Sequence, residues 1–325
     1  MAYFLVSVSN RTNLELCITF GLAGFTNNIN GLWTYAEIHE GDFISFLYGA
    51  KVFNLYKVVK KEAIRHADKV GPWPPVTFRM SGKTYYFPFR LYLKPLRELI
   101  EPMVRAEFAY VAENLLLRGG YRKTHFQADQ TTLQSVSQMG NLYDKPIERF
   151  ASNNYETFIP QVTWKRTLMS IPEVFPFQEF ILQSLIKQWL SQSENLQTLF
   201  NLIELDNLQA KDFEVLSEKA LPEGHIDILI KDAFPTGVSR KIILEVKLNK
   251  CQPKDISQLE GYMKELGDEC IRGVLIAKEF SQKALLWCKG KNIKCFMHSF
   301  DEINLSKTYS IPELNRRICI TPITW

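Results

Sequence analysis

Along the first hundred residues the apolar positions fall into short alternating runs broken by turn formers. Residues 2–8 alternate and read as a strand. Asn13–Phe20 places apolar side chains at 14, 16, 17, 18 and 20. Asn10 or Thr12 can cap this stretch and Gly21 ends it, so a short helix is expected. Gly21-Leu-Ala-Gly-Phe25 turns into the next stretch. Phe43–Tyr48 reads as a strand, Gly49-Ala50 as a turn, and Lys51–Val59 as its hairpin partner. Pro72-Trp-Pro-Pro75 predicts a stiff, exposed loop, because proline fixes φ and lacks a donor. Val76–Met80 and Tyr85–Leu93 add two strands. Residues 96–120 carry helical spacing up to Arg118-Gly-Gly. The Gln/Ser/Thr-rich stretch after it has little periodicity and reads as a connection. Arg118, Arg122, Lys123 and His125 there are either phosphate contacts or a solvated charge cluster.

The second half has a different rhythm. Phe177–Leu190 is an amphipathic helix with 182, 185, 186 and 189 on one face. Residues 213–218 suggest a strand. Gly224–Ile230 and Lys241–Leu248 are apolar strands joined by a loop containing Pro235 and Gly237, which predicts a hairpin. A helix over 255–266, a strand over 271–277, a helix over 281–289 and a strand over 293–297 follow. That alternation predicts a mixed sheet flanked by helices. The expected boundaries are 1–118, a connecting segment 119–170, and 171–325.

The hairpin carries the candidate chemistry. Folding it lays Asp227 near Glu245. Glu245 and Lys247, two apart, leave one face of their strand, while Leu244, Val246 and Leu248 leave the other. Two carboxylates and an ammonium then converge on rigid elements. With the main-chain carbonyl of Val246 they suit a hard cation, Mg²⁺ or Mn²⁺, which takes oxygen ligands and keeps several waters. Lys247 can orient a water or hold a phosphate as a point charge. A strand pair with one surface salt bridge is the plainer alternative. Gln258 and Tyr262 follow at helical spacing i, i+4.

Gly224-x-x-Asp227, Glu245-x-Lys247 and Gln258-x-x-x-Tyr262 together resemble the PD-(D/E)xK nuclease superfamily, and within it the catalytic domain of the NucS (EndoMS) mismatch endonucleases. Arg272-Gly-Val-Leu-Ile-Ala277 is similar to the strand that follows the Gln-bearing helix there. The resemblance covers about residues 175–300 and departs from the superfamily in having no proline before Asp227. It implies metal ligation by Asp227 and Glu245, a catalytic role for Lys247 and a supporting role for Gln258. Such domains open with a helix whose Glu faces the metal; Glu179 is the matching position, and also a carboxylate favoured in a helix's first turn.

Phe4-Leu-Val, the Gly21…Gly24-Phe25 turn, Leu32-Trp33, Glu40-Gly-Asp-Phe-Ile-Ser-Phe46 and Phe87-Pro-Phe-Arg-Leu91 resemble the PUA-like EVE and YTH domains over about residues 1–100. These domains take a flipped, modified base into an aromatic cage, where stacking and edge contacts hold it. The turn usually carries a cage Trp, and here that position is Ala23. Trp73, Trp33, Phe25 and Tyr48 are the candidate replacements. Trp33, just before a turn, also reads as a core anchor.

The fold class implied is an α+β PUA-like pseudo-barrel followed by an α/β PD-(D/E)xK restriction-endonuclease-like fold with a mixed central sheet. Composition agrees with a globular chain: of 325 residues 46% are hydrophobic and 23% charged. No apolar run reaches the ~18–20 residues of a membrane span, and no signal peptide is apparent. Six scattered cysteines without Cys-x-x-Cys spacing argue against a zinc site and for reduced thiols in the cytoplasm. The absence of a G-x-x-x-x-G-K-[ST] loop argues against nucleotide hydrolysis. Residues 1–150 hold 18 Lys and Arg against 13 Asp and Glu, a modest bias compatible with phosphate binding. The expectation is a modification-dependent DNA endonuclease that reads double-stranded DNA carrying a modified base and works as a homodimer. The alternatives are a NucS-like repair or mismatch endonuclease and a nucleic-acid-binding protein with an inactive nuclease domain.

Overall fold

In the computed structural model, residues 1–49, 51–77, 82–99, 124–150, 155–221 and 224–323 are described, with side chains omitted at 218–221. The chain divides into two units, Met1–Pro176 with Ser306–Ser310, and Phe177–Leu305 with Ile311–Trp325.

The first unit is built on a mixed sheet. Its strands are β1 (Tyr3–Ser7), β2 (Leu22–Phe25), β3 (Phe43–Tyr48), β4 (Lys51–Ile64), β5 (Val76–Thr77), β6 (Thr84–Tyr85), β7 (Phe89–Glu98), β8 (His125–Ala128), β9 (Asn141–Leu142) and β10 (Thr157–Phe158). The main order is β2-β7-β4-β3-β1-β8, with β10 on β4 and β9 on β7; β5 and β6 form a separate ribbon. β1 runs parallel to β3 and antiparallel to β8. Paired on both edges, it buries Tyr3, Phe4 and Leu5 completely, as a central strand should. The expected helix is Arg11–Phe20: the Asn10 side chain accepts the Asn13 N–H at 2.7 Å, and Gly21 ends it at φ +57°. A second helix, Ile29–Glu37, was not read from the sequence, although Asn28 caps it through the Gly31 N–H.

Several expectations are corrected here. β4 runs on to Ile64 because β7 pairs with it as far as Ala63↔Phe89. The segment 119–170 is not a connection over its described residues. β8 completes one side of β1, β10 pairs with β4, and β11 (Gln161–Thr163) lies between β12 (Val174–Pro176) and β18 (Tyr309–Ser310). Strands of two to four residues carry too little periodicity to be read, and it is the partner strand that makes them strands. His125 is consequently only 3% exposed, with Nδ1 2.9 Å from Thr34 Oγ1, and is not placed as a surface phosphate contact. Of the expected helix 96–120, residues 96–98 end β7; its remainder beyond Leu99, with Arg118, Arg122 and Lys123, lies outside the described residues.

A further correction concerns Trp73. Pro74 and Pro75 are exposed, but the indole is only 5% exposed. It fills the space that Gly24 leaves on β2: a Cβ there would stand 2.5 Å from the ring. Phe87 lies 5.6 Å away between ring centroids, and the Arg90 guanidinium 5.5 Å from the ring centre. The stiff loop turns its indole inward. Trp33 and Phe25 are core residues as well, Trp33 edge-on to His125 at 4.7 Å. Tyr48, closing β3, stays half-buried.

The second unit opens with the helix Glu179–Leu190, which buries Ile181, Leu182, Leu185, Ile186 and Leu190; Trp189, expected on that face, is half-buried. The sheet has the order β13 (Phe213–Leu221), β14 (Gly224–Asp232), β15 (Lys241–Cys251), β16 (Cys270–Phe280), β17 (Ile293–Phe300), β19 (Ile318–Pro322). β15, β16 and β17 are parallel, and the other pairs are antiparallel. The mixed sheet is as expected, with Pro253–Leu266 and Gln282–Cys288 as the crossover helices.

Truncating a large packed aromatic removes its transfer energy and leaves a cavity. Trp73→Ala is expected to lower unfolding stability by ~3–5 kcal/mol in urea titrations; a loss under about 1 kcal/mol would mean that the indole is not part of the core.

Candidate active site

β14 and β15 pair from Lys231↔Lys241 to Ile228↔Leu244, and the pairing stops there. The amino-terminal end of β14 stays with β13 instead, through Ile226↔Lys219 and His225↔Ala220. In an unbroken ladder the Val246 N–H would bond to the main chain of β14. Here the Asp227 carboxylate takes it, Oδ2 to N 2.8 Å. The Val246 carbonyl leaves the strand on the same side as its N–H, toward that parting.

Glu245 and Lys247 share the strand face predicted for them, with Lys247 Nζ 2.7 Å from Glu245 Oε1. Glu179, from the first turn of the opening helix, comes within 3.8 Å of the same ammonium, and its Oε2 accepts the Leu248 N–H at 2.9 Å. Asp227, Glu245, Lys247 and Glu179 are therefore gathered at one place. Leu244 and Val246 sit on the opposite face, both fully buried.

Gln258 is one step removed. Its Nε2 donates to Tyr262 Oη at 2.9 Å, and that hydroxyl also accepts the His225 N–H at 3.2 Å. A side chain on Gly224 would run into the Tyr262 hydroxyl, which is why glycine stands three residues before Asp227. The pair thus braces the start of β14.

The electrostatics are those of two carboxylates kept from water. Burial raises the Asp227 pKa well above its ordinary value, and the nearby Glu245 charge raises it further, against the Val246 N–H and Lys247. Burial likewise raises Glu245, opposed by Lys247. For Lys247 burial favours the neutral amine, but Glu245, Asp227 and Glu179 outweigh it and the net direction is up. Lys247 is therefore an ammonium at neutral pH. Glu245 Oε2 is buried without a hydrogen-bond partner, a costly state for a carboxylate oxygen that a cation would relieve. Among the described residues, no group of three or more His, Cys, Asp and Glu side chains is placed to hold a metal ion. The donor set is two carboxylates with a main-chain carbonyl, which fits a hard cation that retains waters.

Two features were not read from the sequence. His298 on β17 places Nε2 3.1 Å from the Lys247 carbonyl; its only sequence signal is a histidine directly after the apolar run Cys295-Phe296-Met297. The bracing of β14 through Tyr262 depends on a helix packing against a strand far away in sequence. The aromatics Trp73, Trp33 and Phe25 are each in the core of the first unit.

Residues 194–306 match the endonuclease NucS C-terminal domain family. That stretch includes Asp227, Glu245, Lys247, Gln258 and His298, and begins after Glu179. No match was found among curated proteins. Among solved structures, a repair endonuclease from Pyrococcus abyssi is 20% identical, with 31% of this chain and 43% of that one covered and a TM-score of 0.23. A structure of an EndoMS–dsDNA complex is 22% identical, with 31% and 42% covered and a TM-score of 0.23. The DNA modification-dependent restriction endonuclease AspBHI is 10% identical, with 92% and 75% covered and a TM-score of 0.21. The chain thus spans less than half the length of the first two of these structures.

The carboxylate pair sets a pH dependence for the metal-free protein. Folded-state pKa values above the unfolded ones mean that the native state holds more protons across that window, so stability falls as pH rises through it. Asp227→Asn removes one of the two charges and keeps an acceptor for Val246. In chelator, its melting temperature is expected several degrees above wild type beyond about pH 7, converging near about pH 4. Coincident melting curves at both values would mean that the two carboxylates do not repel.

Proposed function

We propose that this chain is a metal-dependent DNA endonuclease that hydrolyses a phosphodiester at the cluster of Asp227, Glu245 and Lys247. The observation that carries this reading is the buried carboxylate pair gathered with one ammonium where β14 and β15 part, with Glu245 Oε2 left without a partner. It lies inside the stretch similar to the NucS C-terminal domain. Asp227, Glu245 and the Val246 carbonyl would hold Mg²⁺ or Mn²⁺. When bound, the ion supplies a water of lowered pKa and neutralises charge on a phosphate oxygen. Lys247, protonated, orients the attacking water or steadies a phosphate oxygen. Glu179 faces Lys247 and holds its strand, and Gln258 supports Tyr262. Paired copies would bring one site to each strand of a duplex.

The finer reading is cleavage conditional on a modified base, with the first unit as reader. Its support is the resemblance of residues 1–100 to EVE and YTH domains. The burial of Trp73, Trp33 and Phe25 favours the second reading, a repair or mismatch endonuclease whose first unit only grips DNA, since a base could stack on these rings only after the core opened. Tyr48 is the candidate with accessible surface.

Asp227→Ala and Glu245→Ala are each expected to lower cleavage of duplex DNA in Mg²⁺ by at least ~10²-fold, with DNA affinity unchanged in filter binding and wild type sedimenting as a dimer on the duplex. Cutting at the wild-type rate by both variants would put the chemistry elsewhere.

Digestion of unmodified, mismatched, N6-methyladenine, 5-methylcytosine and 5-hydroxymethylcytosine duplexes separates the readings. If a modified base is read, Tyr48→Ala should cost ~1–3 kcal/mol of affinity for the preferred duplex alone, roughly one to two decades. An equal loss on all duplexes would leave Tyr48 a general contact.

A further inference from the structure

The peptide group that follows Lys247 is held by side chains on both sides. β15 and β16 pair up to Lys247↔Ala277 and resume at Lys250↔Glu279. Leu248 and Asn249 thus face Lys278 alone, a bulge that takes the Lys247–Leu248 peptide out of the regular ladder. Bulges of this kind re-aim a neighbouring side chain. The N–H of this peptide donates to Glu179 Oε2 at 2.9 Å, and its carbonyl accepts from His298 Nε2 at 3.1 Å. His298 comes from β17, one residue past the last β16–β17 pair, Ala277↔Met297. It is 5% exposed, with Phe300 packed at 6.4 Å. Burial lowers its basicity, so the ring is neutral, and a carbonyl partner requires its single proton on Nε2.

We infer that His298 is a positioning residue: by holding the Lys247 carbonyl it fixes the bend of β15 that aims the Lys247 ammonium at Glu245. The inference rests on the nuclease reading for its consequence in catalysis, and on geometry alone for the hydrogen bond. A catalytic group displaced by ~1 Å can lose ~10²-fold in rate, whereas metal and DNA contacts made elsewhere persist.

Imidazole ¹⁵N NMR of the metal-free wild-type protein tests the bond directly. The expected result is a proton on Nε2 and none on Nδ1; the opposite tautomer overturns the inference, because Nε2 would then be an acceptor facing a carbonyl. His298→Gln and His298→Asn test the consequence. Both place an amide in the site, but only the Gln side chain reaches the position of Nε2. For duplex DNA in Mg²⁺ the expected kcat stays within about threefold of wild type in Gln and falls ~30–100-fold in Asn, with KM and melting temperature alike in the two. Equal kcat values, or a change confined to KM, overturn it. If wild type cuts no duplex, the nuclease reading fails, and the tautomer still decides whether His298 holds Lys247.

Discussion

The candidate site depends on one hydrogen bond, the Val246 N–H to Asp227 Oδ2. β14 and β15 cannot part beyond Leu244 unless the exposed main chain of β15 finds another partner, since an unpaired buried N–H costs about as much as a lost hydrogen bond. The Asp227 carboxylate is that partner. It lets the strands diverge, and the same contact sets a second carboxylate beside Glu245. On the far face Leu244 and Val246 are fully buried, contributing roughly 1.5–3 kcal/mol each. They hold β15 in the sheet while its polar side carries unfavourable charge. Two carboxylates kept from water, with one ammonium between them, oppose folding locally, and this is the kind of arrangement found where chemistry is done.

The rest of the second unit keeps that arrangement in place. Tyr262 lies where only glycine fits at 224 and receives the His225 N–H, so the start of β14 is tied to the helix Pro253–Leu266. Gln258, one turn earlier on that helix, fixes the hydroxyl. Beyond Lys247 the bulge leaves a peptide group without ladder partners, and Glu179 and His298 supply them. Each departure from regular pairing is thus matched by a side-chain hydrogen bond, so the site is held by its surroundings more than by its own charges.

The first unit distributes its aromatics differently from what its sequence suggests. Trp73 packs on Gly24, Trp33 on His125, and Phe25 enters the core, while Pro74 and Pro75 remain exposed. A proline-bound tryptophan signals a stiff presentation, but stiffness serves packing as well as capture. The available volume beside β2 decided between them.

Turn formers and periodicity along the chain specify the local elements and the shared face of the candidate residues. Asn10 and Gly21 bound a helix, the apolar runs at 224–230 and 241–248 made antiparallel strands, and period two put Glu245 and Lys247 on one face. These follow from dihedral preferences and side-chain periodicity within a few residues. Long-range packing settles that 124–176 belongs to the first unit, that Trp73 is buried, and that His298 reaches the Lys247 carbonyl. Each of these depends on a partner more than forty residues away in sequence, and no local pattern encodes which distant strand supplies an edge or which cavity accepts a ring.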